Sequence, residues 1–344
     1  MPERPAPNRR ATADEVARVA QVSRVAVSRA FNPDAPIRAE KRARILAVAR
    51  ELNYVPDRAA RALATRRSHL VGVIVPDVCS PWESQEIDAL TTALQGEGFA
   101  TLLIKTPTAS SMDERLLAYI RGFNLDSVIA FAENVGPDTL AGVLGRARPI
   151  YVCYPDDPHG APPAKAEFDR LNVLQRTGFD QAVALVQGYG CRRLAWLEGE
   201  RKSLANATRS RILRAVLEAR GLPPPAVARG DFTYDTGFAA TLDLFRVGGG
   251  ADAIFAANDV GAFGAIDALR FELGLRVPED VKVVGFDDIA QAHWRSYHLT
   301  TVRVDLRVRV QALVRLILRR LKEPDAPPMQ ETVPTSLVVR GTVA

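Results

Sequence analysis

Cysteine is scarce in this sequence, and so are methionine, tryptophan and histidine. The three cysteines, Cys79, Cys153 and Cys191, are too widely spaced for a disulfide framework or a metal-ligand pattern, which favours a reducing cytoplasm and no metal. No apolar run approaches the roughly 18 residues that cross a bilayer. Residues 1–10 are rich in Pro and Arg and lack the apolar segment of a secretory signal. We therefore expect a cytoplasmic protein with no membrane partner.

Motifs of the common enzyme classes are also missing. No Gly-x-Gly-x-x-Gly or Walker loop follows a predicted strand, and there is no His-x-x-x-His pair. The four histidines lack a nearby nucleophile pattern. These absences predict a protein that is not an enzyme and that needs no cofactor.

The charge of the chain is unevenly distributed. The 344 residues have a formal net charge of +5. Residues 1–70 hold 15 Lys and Arg against 7 Asp and Glu, whereas the remainder is mildly acidic. A basic end on an acidic body indicates a module that meets a polyanion, although a basic face that is merely solvated gives the same pattern.

From residue 70 onward, short apolar runs alternate with segments of helical periodicity, the pattern of parallel sheets with crossover helices. Runs without polar alternation predict strands buried on both faces. The segment Tyr154–Ala164, rich in Pro and Asp, separates two sets of strands, which indicates two lobes. The predicted strands are 71–75, 101–104, 127–131, 149–153, 193–197, 253–256 and 281–284, with a further strand and tail in 330–344.

Residues 11–55 contain three helical patterns and no strand. Thr12 and Glu15 form a capping box, and Val16, Val19 and Ala20 then mark one apolar face. A tight turn follows, and Ser23 caps a second helix. The third helix is predicted from about residue 38 to residue 52.

The second helix has a basic outer face, which is typical of a helix-turn-helix that enters the major groove of DNA. Arg24 or Arg29 would present a guanidinium fork to guanine, and Val25 would contact a thymine methyl group. A small helical bundle with solvated arginines is the alternative. The candidate major-groove residues are Ser23, Arg24, Val25, Ser28 and Arg29.

Several motifs in order resemble the lactose-repressor (LacI/GalR) family. They are Ala11–Ala17, Val22–Asn32, Leu52–Pro56, Val71–Asp77, Ala257–Asp259, Val284–Asp288 and Leu299–Val302. The resemblance covers essentially the whole chain from Ala11. It implies a homodimeric transcriptional regulator, most often a repressor, that binds a palindromic double-stranded operator. It also implies that a small molecule, such as a sugar, enters a cleft between the lobes and changes the affinity for DNA.

The resemblance also gives a role to the segment after Tyr54. Residues 56–63 have helix-forming composition but only about two turns, too few for a stable isolated helix. They resemble the family's hinge helix, which folds on DNA and inserts a leucine into the minor groove. The hinge residues implied are Arg58, Ala60, Arg61 and Leu63.

The effector residues implied by the resemblance are Asp77, Ser80, Trp82, Arg209, Phe232, Asn258 and Asp287. The chain departs from the family at other pocket positions, near Phe131 and Cys153, at Glu83 and Arg211, and at Leu174-Gln175. The prediction of a neutral hexose as the effector is therefore less secure than for a typical member of the family. Three alternatives stay open: a sugar or sugar acid held differently, an anionic metabolite paired with Arg209, or a core without an effector.

The sequence thus predicts an all-α helix-turn-helix headpiece followed by an α/β core of two parallel-sheet lobes, similar to periplasmic binding proteins. The predicted segments are a disordered arm over 1–10, the DNA-binding domain over 11–55, a hinge helix or linker over 56–68, and the effector-binding and dimerisation core over 69–344. Within the core, the N-lobe is about 69–172 plus 303–330, and the C-lobe about 173–302 plus 331–344.

Overall fold

The structure is a computed structural model, and it describes residues 11–32, 35–56, 67–75, 78–106, 114–131, 148–155 and 168–344. The chain divides into two compact units, Met1–Ser68 and His69–Ala344. The predicted arm over 1–10 and most of the predicted hinge over 56–68 lie outside the described residues. Within the described ranges, no helix combines the length and the apolar character needed to cross a membrane.

The first unit contains three helices, α1 (Ala13–Val19), α2 (Arg24–Ala30) and α3 (Ala39–Glu51). The capping box is present, since the Thr12 amide donates to Glu15 Oε2 at 2.7 Å and the Glu15 amide donates to Thr12 Oγ1 at 3.3 Å. Gln21 adopts a left-handed φ of 51° in the turn before α2. Helices α1 and α2 therefore begin where Thr12 and Ser23 satisfy free backbone amides, whereas Arg38 before α3 makes no side-chain capping hydrogen bond.

Small and branched apolar side chains form the core of this unit. Val16, Val27 and Ile45, one from each helix, are at most 1% exposed. The prediction that Val19 lies on the buried face is wrong, because its side chain is 46% exposed. Ala17 is buried instead, since α1 turns its Val16–Ala17 edge and Ala20 toward the other two helices.

The second unit alternates strands and helices. Its helices are α4 (Pro81–Gly96), α5 (Glu114–Gly122), α6 (Arg176–Gly188), α7 (Leu204–Ala219), α8 (Tyr234–Arg246), α9 (Asp259–Asp267) and α10 (Leu306–Lys322). Its strands are β1 (Leu70–Val75), β2 (Ala100–Lys105), β3 (Ser127–Phe131), β4 (Arg148–Cys153), β5 (Asp169–Leu174), β6 (Leu194–Leu197), β7 (Ala226–Ala228), β8 (Ala253–Ala256), β9 (Lys282–Asp287), β10 (Thr300–Val304) and β11 (Gln330–Val338).

The strands form two parallel sets that β11 joins. The order is β2-β1-β3-β4-β5-β11-β10-β9-β8-β6-β7. Residues 330–334 of β11 pair parallel with β5, and residues 335–338 pair antiparallel with β10. The predicted α/β fold with a parallel-dominated core is confirmed, and the linking strand lies in the segment predicted as a C-terminal strand and tail.

The seven predicted strands are present, and β1, β3 and β8 are almost entirely buried, as their continuous apolar runs predict. The prediction of two-sided burial is wrong for β2. This strand lies at the sheet edge, so Leu103 is 45% exposed. The sequence patterns do not predict β5, β7 and β10. Helix α9 ends at Asp267, and a π-helical turn follows over Ala268–Glu272.

The lack of a side chain at Gly178 lets α6 pack closely against the strands where the two parallel sets of strands meet. A Cβ on Gly178 would lie 2.4 Å from Val302 Cγ1 and 2.7 Å from Thr335 Oγ1. The Gly178 amide donates to Thr335 Oγ1, which donates in turn to the carbonyls of Leu174 and Gln175. The start of α6 is therefore held in one position beside β11.

Candidate functional site

The exposed face of α2 is the candidate surface for DNA. Ala26, Val27 and Ala30 are buried against the other helices, and Ser23 caps the first turn by accepting from the Ala26 amide at 3.3 Å. All five predicted major-groove residues are exposed on the opposite side: Ser23, Arg24, Val25, Ser28 and Arg29. The structure thus presents these residues together on a slim, basic helix face.

Arg24 has an acidic neighbour within the same unit. Its Nη1 lies 3.8 Å from Asp14 Oδ2, and both side chains are about 70% exposed. A solvated pair of this kind contributes little free energy. Arg24 is therefore able to exchange Asp14 for another hydrogen-bond acceptor at small cost.

The predicted hinge residues lie outside the described residues, and so does one predicted effector residue. The residues concerned are Arg58, Ala60, Arg61, Leu63 and Asp77.

The core unit contains a cavity of about 470 Å³. This size suits a small organic ligand, since binding cavities are commonly about 300–1,000 Å³. Every predicted effector residue that the structure describes lines it: Ser80, Trp82, Arg209, Phe232, Asn258 and Asp287. They come from the start of α4, from α7, from the loops before α8 and α9, and from the end of β9. Tertiary folding therefore brings together side chains that are far apart in the sequence.

Arg209 is packed and paired within the cavity wall. Its Nη1 donates to the carbonyl of Ala257 at 2.5 Å, and its Nη2 lies 3.4 Å from Asp287 Oδ1. The guanidinium carbon is 3.8 Å from the centre of the Phe286 ring. Arg209 and Asp287 are only 8% and 7% exposed, so the pair forms a fixed charged edge of the cavity.

Two residues of the cavity wall have strained backbone conformations. Phe232 has a φ of 75° and Asp287 a φ of 114°, conformations that are unfavourable for residues other than glycine. Asn258 Nδ2 donates to the Phe232 carbonyl at 2.9 Å, and Asn258 Oδ1 caps α9 by accepting from the Gly261 amide. Asn258 therefore holds Phe232 in place as well as lining the cavity.

Sequence reasoning missed a buried ion pair that also lines the cavity. Arg309 Nε donates to Glu86 Oε1 at 2.5 Å, and Arg309 Nη2 donates to Glu86 Oε2 at 3.1 Å. The guanidinium carbon lies 5.6 to 6.0 Å from the ring centres of Phe131, Trp82 and Tyr154. The charged partners lie 223 residues apart, so no local motif signals the pair.

The two charges of this pair depend on each other. Burial raises the pKa of Glu86, and the Arg309 guanidinium offsets part of that rise. Although burial alone would lower it, the pKa of Arg309 is raised by the Glu86 carboxylate. Arg309 therefore stays charged in the cavity wall.

Gln175 is a further cavity residue that is absent from the predicted effector residues. It follows β5, lines the cavity and is 1% exposed. Its Nε2 and Oε1 have no hydrogen-bond partner within the described part of the chain. The sequence does offer a signal, because the family resemblance places Leu174-Gln175 among the pocket positions at which this chain departs from the family.

Within the described residues, no group of three or more His, Cys, Asp or Glu side chains is arranged to hold a metal ion. Four of the charged side chains that line the cavity form two Arg–carboxylate pairs, Arg209–Asp287 and Arg309–Glu86.

Two domain families match this sequence. Residues 12–57 match the family described as bacterial regulatory proteins, lacI family, and residues 184–343 match the periplasmic binding protein-like domain. The chain is 32% identical over 339 residues to the HTH-type transcriptional regulator CelR of Thermobifida fusca, covering 96% of this chain and 98% of that protein. The sequence similarity therefore extends over both units.

Solved structures agree in fold. A lac repressor dimer bound to operator and the anti-inducer ONPF is similar with a TM-score of 0.83 and 24% identity, covering 97% of this chain and 99% of that chain. A complex of the transcriptional regulator CelR with cellobiose is similar with a TM-score of 0.67 and 28% identity, covering 97% and 100% of the two chains. The whole described architecture thus has known counterparts.

Proposed function

This chain belongs to the lacI family of bacterial regulatory proteins, and we propose that it is a transcriptional repressor whose affinity for operator DNA is set by a saccharide in the core cavity. One observation carries the effector part of this proposal. Six side chains from distant parts of the sequence converge on one cavity that combines aromatic rings with fixed polar groups. We assign binding rather than catalysis to this cavity and place the protein in the cytoplasm, with the chromosome.

For the DNA-binding unit, we propose that α2 enters the major groove of a palindromic operator, with one copy from each subunit of a homodimer. The guanidinium groups of Arg24 and Arg29 offer forks that match guanine O6 and N7, and the 59% exposed Val25 suits a thymine methyl group. In vitro selection from random duplexes should recover a symmetric site. Affinity for that site should fall with rising salt, with a slope of about −0.9 per neutralised phosphate. Equal binding to random competitor DNA would contradict the proposal.

Residues 56–68 join the two units in sequence, and we propose that they form a hinge helix when two chains meet on DNA. Leu63 would then insert into the minor groove, while Arg58 and Arg61 approach phosphates. Replacing Leu63 with Ala should weaken operator binding and leave unfolding of the core unchanged. An unaltered gel-shift affinity would contradict the wedge role.

For the core, charge favours a neutral ligand over an anion. The described lining residues include five carboxylates and three cationic side chains, and two of the cations, Arg209 and Arg309, are already paired with Asp287 and Glu86. Lys202 is the third cation, so an anion would meet one further cationic side chain against an overall excess of negative charge among the described lining residues. Aromatic rings with a few fixed hydrogen-bonding groups suit a saccharide, which presents apolar faces and hydroxyl edges.

Cellobiose is the first saccharide to test, since a CelR–cellobiose complex is among the similar structures. Ribose and glucose 6-phosphate serve as a smaller and an anionic comparison. A ligand at 100 times its dissociation constant should stabilise the core by about 2.7 kcal/mol, which thermal unfolding detects. The same ligand should change operator affinity, because a ligand shifts an equilibrium only by its difference in affinity for two states. A panel of sugars without any thermal shift would contradict the effector assignment.

A further inference from the structure

Gln175 has a fixed backbone and an unsatisfied side chain. Its carbonyl accepts from Thr335 Oγ1 at 3.0 Å and from the Phe179 amide at 3.3 Å, so the residue is anchored between β5 and α6. Its side-chain amide is buried and unpartnered at both polar atoms. Most buried polar side-chain atoms in native proteins are paired, because an unpaired buried donor or acceptor destabilises the fold.

Some of the unsatisfied buried polar atoms of the core belong to residues that line the cavity. Seven buried side-chain atoms lack a partner in the described part of the chain, and three of them belong to the cavity-lining residues Gln175 and Arg209. For Arg209 the unpartnered atom is Nε. Unpaired groups at a cavity wall are expected where a ligand supplies the missing hydrogen bonds.

We infer that Gln175 is a specificity-determining ligand contact that reads two adjacent hydroxyls of a neutral saccharide. This inference rests on the proposed function. A primary amide both donates and accepts, so its complement needs an acceptor beside a donor. Neighbouring hydroxyls supply both, whereas an ionised carboxylate or phosphate group accepts only and would leave Oε1 of Gln175 unpaired.

The ligand-free core is consequently less stable than its packing allows. Both amide atoms are closed off from solvent in this conformation, so the proposed contact requires a rotation of the Gln175 side chain to another rotamer. Removing the amide should then have opposite effects on the two states. It should stabilise the ligand-free protein and weaken its complex with the sugar, whereas a purely structural residue would not produce this pair of effects.

The test compares the full-length wild type with Gln175→Met, which keeps the length of the side chain and removes its polar atoms. We expect Gln175→Met to raise the melting temperature of the ligand-free protein by about 3 °C. We also expect it to weaken cellobiose binding about tenfold by isothermal titration calorimetry, since two hydrogen bonds are lost. Gln175→Leu repeats both measurements with a branched side chain in case the methionine variant does not fold.

Gln291→Met is the matched control. Gln291 Oε1 is also buried without a partner, but the residue does not line the cavity. This variant should leave the dissociation constant for cellobiose unchanged. Cellobiose binding by Gln175→Met at the wild-type affinity, or a lowered melting temperature with unchanged affinity, would overturn the inference alone. If the wild type binds no sugar of the panel, the effector part of the proposed function fails first and the inference with it.

Discussion

Arg309 and Glu86 form a bidentate ion pair in the wall of the core cavity, with Arg309 Nε 2.5 Å from Glu86 Oε1. The pair joins α10 to α4, and the two side chains are 2% and 6% exposed. Breaking a buried pair by removing one partner leaves an uncompensated charge, which costs more than removing both partners together. The pair therefore couples the position of α4, which carries Ser80 and Trp82 at its start, to that of α10.

Replacement of Arg309 with Met is expected to destabilise the core by about 3–5 kcal/mol, because Glu86 would remain buried without its partner. The double variant Glu86→Leu with Arg309→Met should recover much of that loss. Urea unfolding of the two single variants and the double variant measures the coupling directly. Losses that simply add in the double variant would contradict this interdependence.

The ring of Phe232 depends on the absence of a side chain at Gly199. A Cβ at that position would lie 2.1 Å from Phe232 Cε1. Gly199→Ala should therefore displace the ring from the cavity wall and weaken saccharide binding by about tenfold, equivalent to about 1.4 kcal/mol. Gly188→Ala is the control, since a Cβ there would meet nothing within 4 Å. Calorimetric titration of both variants should separate them, and equal affinities would contradict the close-contact argument.

Asp259 gives the core a specific dependence of stability on pH. Burial raises the pKa of Asp259 to about 7, although Thr301 Oγ1 and the Ile289 amide both donate to its carboxylate. Because the folded-state pKa lies above the unfolded value of about 3.9, the contribution is complete below that pH and is lost as the pH rises through about 7. The slope should reach at most about 1.4 kcal/mol per pH unit.

Asp259→Asn removes this titration while keeping the size of the side chain. Its free energy of unfolding should fall less than that of the wild type between about pH 5 and 7. Chemical denaturation at several pH values gives the comparison. Parallel pH profiles for the two proteins would show that Asp259 titrates normally in the folded state.

Arg29 is predicted to read a base in the major groove. Arg29→Ala should lower the affinity for the selected operator by about 1–3 kcal/mol and relax the preference at one base pair in each half-site. Arg44→Ala removes the same charge from an exposed position on α3 and serves as the control. Fluorescence anisotropy with operator and random duplexes distinguishes them. Equal loss in both variants would indicate a general charge effect and not base recognition.

The helices of the first unit are defined by interactions between residues that are close in sequence, and the sequence alone therefore predicts these helices well. The Thr12–Glu15 capping box, the Ser23 cap and the exposed face of α2 all follow from residues within one or two helical turns. The buried strands of the core likewise follow from continuous apolar runs such as Val71–Val75. Val19 was misplaced because helical periodicity alone does not tell which edge of a short helix meets its neighbours.

The family resemblance, itself a property of the sequence, located six residues that the fold brings to one cavity. Only tertiary structure decided which of their neighbours complete the wall. Glu86 meets Arg309 across 223 positions, and Gln175 reaches the cavity because Thr335 on β11 fixes the start of α6. Sequence patterns record interactions over a few residues, whereas burial and pairing across the core depend on how distant segments pack.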